Sequence, residues 1–131
     1  MKVIAGYIGK ELDFEEYFLV SIRPGWRPLV RELVDDIVAM GWNKVLYDVK
    51  EKFGGLRFYV ASATEEVLDR IEEAENRSYT ICQECGEPGE LWSCNGWYVT
   101  LCEAHAKERK CVKVESRRKL KCLGRRLKPR N

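Results

Sequence analysis

The sequence predicts an α+β fold in which an amphipathic helix, a β-hairpin and a second helix pack with a C-terminal cysteine–histidine module. Three observations carry this expectation. An apolar stripe at helical spacing follows "RPGWRP", and two strand-like runs meet at Gly54-Gly55. Two short clips, Cys82-x-x-Cys85 and Cys102-x-x-His105, then bracket residues 86–101. A chain of 131 residues with 45% hydrophobic content is enough for one ordinary domain carrying a small module. Its natural divisions are a body over 1–80, the module over 81–110 and a basic tail over 111–131.

Residues 1–22 are apolar enough to be ordered and accommodate one or two strands, although their periodicity does not fix them. Pro24-Gly25 reads as a turn, and Pro28 suits the first turn of a helix, where a missing N–H costs nothing. Leu29, Val30, Leu33, Val34, Ile37 and Val38 line one face of that helix, Arg31, Glu32, Asp35 and Asp36 the other, and Gly41 closes it. "VLYDVKEKFGGLRFYVAS" reads as a hairpin with Gly54-Gly55 at the turn, because adjacent glycines accept positive φ. That register sets Phe53 opposite Leu56 and Val49 opposite Val60, with Tyr47 and Phe58 on the same apolar face and Glu51 interrupting it. Lys50, Lys52 and Arg57 fall on the reverse. They read as a small basic patch with aromatic neighbours or, equally, as an ordinary exposed sheet face. Ser62 or Thr64 caps a second helix that buries Val67, Leu68, Ile71 and Ala74 and leaves its acidic face solvated.

The clips carry the chemistry. Zinc(II) takes about four thiolate or imidazole ligands in a tetrahedron, and two two-ligand clips supply them from opposite sides. Gly86 permits the tight knuckle after Cys85, and Asn95-Gly96 is a strong turn signal for a hairpin between the clips. Cys102 and His105 open a run of helix formers, so that both ligands fall on one face of its first turn, with the thiolate at the positive end of the dipole. Knuckle, hairpin and ligand-bearing helix in this order resemble the treble-clef zinc finger. The expected metal ligands are Cys82, Cys85, Cys102 and His105, with Cys111 an alternative to His105 as the fourth. Cys94 reads as a spectator, and Cys111 and Cys122 as free thiols, although a pair between them has weak support from spacing.

Charge is split along the chain. Residues 1–105 carry 11 Lys/Arg against 19 Asp/Glu, a balance of −8, whereas residues 106–131 carry 12 against two, a balance of +10. Such a split suggests a polyanionic partner, and Arg117, Arg118, Lys119, Lys121, Arg125, Arg126, Lys128 and Arg130 are the expected phosphate contacts. No apolar run approaches the ~18 residues that cross a membrane, and the opening "MKVIAGYIGKELDFEE" does not read as a secretory signal. The expectation is a cytoplasmic protein with reduced thiols, in which paired cysteines bind metal.

Four blocks, "PGWRPLV" at 24–30, "VKEKFGGLRFYV" at 49–60, "IEEAENRS" at 71–78 and "CQECGEPG…GWYVTLCEAH" at 82–105, resemble a family of small uncharacterised proteins of bacteriophages, prophages and bacterial genomes. The resemblance covers residues 24–106 and implies a phage or mobile-element origin and a metal role for the same four ligands. It implies no activity. The functional expectation is therefore a non-enzymatic, zinc-stabilised accessory protein that binds nucleic acid through its tail. A module that engages a host transcription or defence protein is the alternative. A metal-dependent nuclease is disfavoured, because the single histidine is committed to zinc and none remains to activate water.

Overall fold

A computed structural model describes residues 1–114. It is mixed α+β, with four α-helices and two small sheets among the described residues. The first sheet has the order β2-β1-β3-β4, from β1 (Lys2–Ala5), β2 (Lys10–Asp13), β3 (Val45–Lys52) and β4 (Gly55–Val60). Its one parallel pairing, Ile4 with Val45 and Ala5 with Leu46, is bridged by the short α1 (Phe14–Tyr17) and by α2 (Arg27–Ala39). After β4 comes α3 (Glu65–Ser78).

Helix α2 buries Leu29, Val30, Leu33, Val34 and Ile37, the stripe read from its periodicity, and Gly41 follows it at φ 93°. Helix α3 is capped by Thr64, whose hydroxyl accepts from the Val67 N–H at 3.2 Å, and it buries Val67, Ile71 and Ala74. These side chains form one core with Val3 and Ala5 of β1, Leu46 and Val49 of β3, Leu56 and Phe58 of β4, and Trp26 and Trp42.

The acidic face of α3 is not wholly solvated as expected. Glu75 is 1% exposed, and its Oε2 accepts the Phe58 N–H at 2.9 Å. One turn on, Ser78 Oγ accepts the Leu56 N–H at 2.9 Å and donates to the Glu75 carbonyl. β4 is a sheet edge, so these donors have no neighbouring strand, and α3 supplies the acceptors that an edge otherwise exposes. Glu75→Ala is expected to cost about 2–3 kcal/mol by orphaning the Phe58 amide, whereas Glu75→Gln keeps an acceptor and costs less. The two urea midpoints measured side by side check this.

The β3–β4 hairpin forms with a different turn. Phe53 and Gly54, at φ 54° and 84°, are its central residues, and Lys52 pairs with Gly55, Glu51 with Leu56 and Val49 with Phe58. Relative to the expected register each β4 residue meets a β3 residue two positions earlier. An even shift preserves faces, which is why Val49, Leu56 and Phe58 still enter the core. A register irregularity between Leu46 and Asp48 then sends Leu46 inward, where Tyr47 was expected. Gly55 is needed as a strand residue and not as a turn residue: a Cβ there would lie 2.3 Å from the Tyr79 ring. Glu51, the interruption in the apolar face, accepts the Gly54 N–H at 2.6 Å and so closes the turn. Arg57 leaves the expected basic patch. It is 4% exposed, donating to the Leu56 carbonyl at 3.0 Å and reaching the Tyr79 hydroxyl at 3.4 Å.

Candidate metal centre

The second sheet, in the order β6-β5-β7, comprises β5 (Glu90–Cys94), β6 (Trp97–Leu101) and β7 (Val112–Lys113), with α4 (Glu103–Glu108) between the last two. Ahead of it, residues 81–88 form a closed knuckle. The Gly86 N–H donates to the Cys82 carbonyl at 2.9 Å, the Cys82 N–H to the Glu87 carbonyl at 2.7 Å, and Ile81 bridges Pro88. The β5–β6 turn falls on Asn95-Gly96, at φ 54° and 86°, as its sequence predicts. Cys102 is the N-cap of α4, and His105 lies in its first turn.

These elements bring Cys82, Cys85, Cys102 and His105 together, with one donor atom from each inside a set no more than 4.8 Å across. Cys85 Sγ lies 3.8 Å from Cys102 Sγ, and His105 Nδ1 lies 3.6 Å from Cys82 Sγ and 3.2 Å from Cys102 Sγ. A tetrahedral ion with metal–sulfur bonds of about 2.3 Å and metal–nitrogen bonds of about 2.0 Å spaces its ligands roughly 3.5–3.8 Å apart. The donor set therefore fits a metal ion of that size. Cys82 is fully buried and Cys85 exposed, so the cluster has an inner and an outer side.

The electrostatics favour thiolate at Cys82. Burial pushes the Cys82 thiol up, but the amides of Cys102, Cys85 and Glu84 directed at its sulfur, with the Cys85 thiol, outweigh this and bring it down to about 6. At Cys85 the Glu87 amide lowers the value, yet burial and the neighbouring Cys82 and Cys102 sulfurs leave it raised. Hydrogen bonds to Cys102 and then Cys82 raise His105. A lowered thiol at Cys82, a raised one at Cys85 and a raised imidazole at His105 crowd this spacing, and a cation held here would relieve the conflict by taking the place of protons.

Cys94 stays outside the donor set, as a spectator would, but Cys111 is no free thiol: the two form a disulfide with Cα atoms 4.4 Å apart, which also overturns the expectation that the thiols are reduced. The pairing Ser93 with Val112 brings β7 alongside β5, and the Cys111 N–H on the Ala106 carbonyl at 2.9 Å turns the chain back from α4. Spacing alone could not reveal this contact, since it depends on a strand of two residues. Cys111 as a substitute fourth ligand is thereby corrected: the structure places His105 in the cluster and Cys111 in the disulfide. Cys122 and the basic residues Arg117, Arg118, Lys119, Lys121, Arg125, Arg126, Lys128 and Arg130 lie outside the described residues.

The site is bolted to the body at four points. The Gly25 N–H donates to the Gln83 carbonyl at 2.7 Å, and Trp26 Nε1 to the Ile81 carbonyl at 2.8 Å. Glu84, in the knuckle, accepts from both Arg23 and Arg109, and although burial opposes it their charges hold its carboxyl below the usual range. Thr100 Oγ1 donates to the Gly54 carbonyl at 2.6 Å, while its N–H reaches Gln83 Oε1 at 2.8 Å. "PGW" and "FGG" are therefore docking segments for the cluster, a role that only the tertiary contacts show. No family model, curated protein or solved structure matches this chain.

Proposed function

We propose that the chain is a non-enzymatic accessory protein in which a structural zinc ion holds a nucleic-acid-binding scaffold in shape. The observation that carries this reading is the closed Cys₃His donor set, wired by Gly25, Trp26 and Glu84 into the body of the fold. Four nitrogen and sulfur ligands complete a tetrahedron, a set typical of structural zinc, whereas catalytic zinc keeps a position open for water. His105, the chain's single histidine, belongs to that set and is not available as a general base.

The charge split names the partner class. Residues 115–131 carry eight Lys/Arg and one Glu, the composition of a segment that exchanges condensed counterions for phosphates without reading sequence. The resemblance to phage and prophage proteins fits a small factor acting in a bacterial host. Binding to generic DNA or RNA is expected to fall by about 10³-fold or more between 50 and 200 mM salt, the behaviour of a protein that makes six to ten phosphate contacts. Deleting residues 115–131, which spares α4 and the disulfide, is expected to remove most of that affinity and flatten the salt slope. Fluorescence anisotropy across a salt series reads both. Unchanged affinity in the truncated chain rejects the tail as the phosphate grip.

A further inference from the structure

An arginine taken out of water stays protonated, and it is rarely buried without a carboxylate against it. Arg70 follows that habit, with Asp36 at 2.8 Å and Glu32 and Glu73 within reach. Arg57 does not. It is 4% exposed, yet among the described residues no carboxylate pairs with it. Its partners are neutral: Nη1 donates to the Leu56 carbonyl at 3.0 Å and Nη2 to the Tyr79 hydroxyl oxygen at 3.4 Å. A guanidinium has five N–H groups, so donors are left over, among them Nε. A buried charge without a counter-charge costs free energy that an anion brought from outside would recover.

Register fixes what surrounds this group. In the β3–β4 ladder Lys50 pairs with Arg57, Lys52 with Gly55 and Asp48 with Tyr59, so all six share the sheet face opposite Val49 and Phe58. Arg57 thus sinks below the expected patch but stays on its face. That face holds three cations and one acid, and the acid, Asp48, is engaged by Lys50 at 3.7 Å. Glu51 lies on the other face, where it accepts the Gly54 N–H. Tyr79, directly after α3, lays its ring over Gly55, whose added Cβ would lie 2.4 Å from the hydroxyl oxygen. Because that oxygen accepts from Arg57, the hydroxyl hydrogen is left to donate, and no acceptor among the described residues takes it. Lys52, the cross-strand partner of Gly55, is exposed and makes no ion pair among the described residues. Its Nζ rests 5.6 Å from the centre of the Phe53 ring, a contact that an exposed lysine readily exchanges for an anion.

We propose that Arg57, Tyr79 and Lys52 form an oxyanion site that takes a phosphate group, with the buried guanidinium as its floor. Its donors come from both strands of the hairpin and from the end of α3, so they approach from several directions. That suits a tetrahedral phosphate better than a flat carboxylate, which one guanidinium edge already satisfies. The phosphate is either free or part of a nucleic-acid backbone, and the chemistry of recognition is the same. The site goes beyond the reading given for residues 115–131, because its three residues all belong to the body of the fold, and it stands or falls separately from the tail.

The test follows the Arg57 Nε–H resonance of the full-length zinc-loaded chain by proton–nitrogen correlation NMR, assigned by its loss in Arg57→Lys. Inorganic phosphate, and separately a short single-stranded oligonucleotide, are titrated in against chloride at constant ionic strength. A saturable shift of that resonance is expected with phosphate and none with chloride. Tyr79→Phe, which keeps the ring over Gly55, and Lys52→Gln, at an exposed position, should each weaken the phosphate affinity about tenfold, the loss of one hydrogen bond to a charged group. A shift with inorganic phosphate alone supports a site for free phosphate, and one with the oligonucleotide supports a backbone contact. An Arg57 resonance that responds to neither overturns the site, as does a parent-like affinity in both Tyr79→Phe and Lys52→Gln.

Discussion

Stripping zinc from the Cys82–Cys85–Cys102–His105 centre is expected to unfold residues 81–114 and to lower the melting temperature of the whole chain by tens of degrees. Purified protein should contain one zinc per chain by elemental analysis, and a strong chelator should reproduce the effect of Cys82→Ser or Cys102→Ser. The magnitude follows from what the ion replaces. Among the described residues, the buried cluster beneath the second sheet contains only Cys82, Trp92, Leu101 and Ala106, with a few half-buried neighbours, too little apolar surface to order the module alone. In small zinc modules the metal-binding free energy, on the order of 10 kcal/mol, is the folding free energy. Because the knuckle also accepts the Trp26 indole and the Gly25 amide, its loss removes partners from the body as well. Acid should mimic the chelator. The bound state holds thiolates, so stability is present while these are deprotonated and is lost as falling pH returns protons to sulfur and imidazole. A chromophoric zinc indicator followed through an acid titration checks that direction. Cys111→Ala should leave the stoichiometry at one zinc, whereas His105→Ala should weaken retention, which separates the disulfide from the ligand set. Full stability after quantitative zinc removal would reject the centre.

Gly25→Ala is expected to be the most damaging single methyl group in the protein, costing about 3 kcal/mol and loosening zinc retention although residue 25 is no ligand. A Cβ there would sit 2.0 Å from the Cys82 carbonyl oxygen, 2.6 Å from the Gly86 nitrogen and 2.7 Å from the Gln83 carbonyl carbon. All three are backbone atoms of the knuckle, so no side chain can swing away, and either the knuckle leaves the body or its ligands leave register. Gly41→Ala is a useful contrast. Gly41 has a positive φ but nothing within 4 Å of the added carbon, so its strain is local and zinc retention should be normal. Denaturant midpoints and zinc competition on the two variants separate a clash at the interface from backbone strain elsewhere. Equal zinc affinity in Gly25→Ala and the parent would show that the docking of "PGW" on the knuckle does not support the site.

Much of this was legible along the chain because it is local. Helical period placed α2 and α3, Asn95-Gly96 placed the β5–β6 turn, and the spacing of two clips picked out four candidate metal ligands whose donor atoms converge within 4.8 Å. Each of those features depends on residues a few positions apart, whose geometry follows from backbone preference and from the coordination habits of zinc. What escaped was decided by groups far apart in sequence. Tyr79 made Gly55 a strand residue and moved the turn to Phe53-Gly54. Glu75 and Ser78 were drawn into the interior by the unpaired amides of an edge strand. Cys94 found Cys111 because a two-residue strand closed beside β5. No periodicity encodes such contacts, since a close approach, an unsatisfied donor or a pair of sulfurs takes on meaning only when packing brings its counterpart within reach.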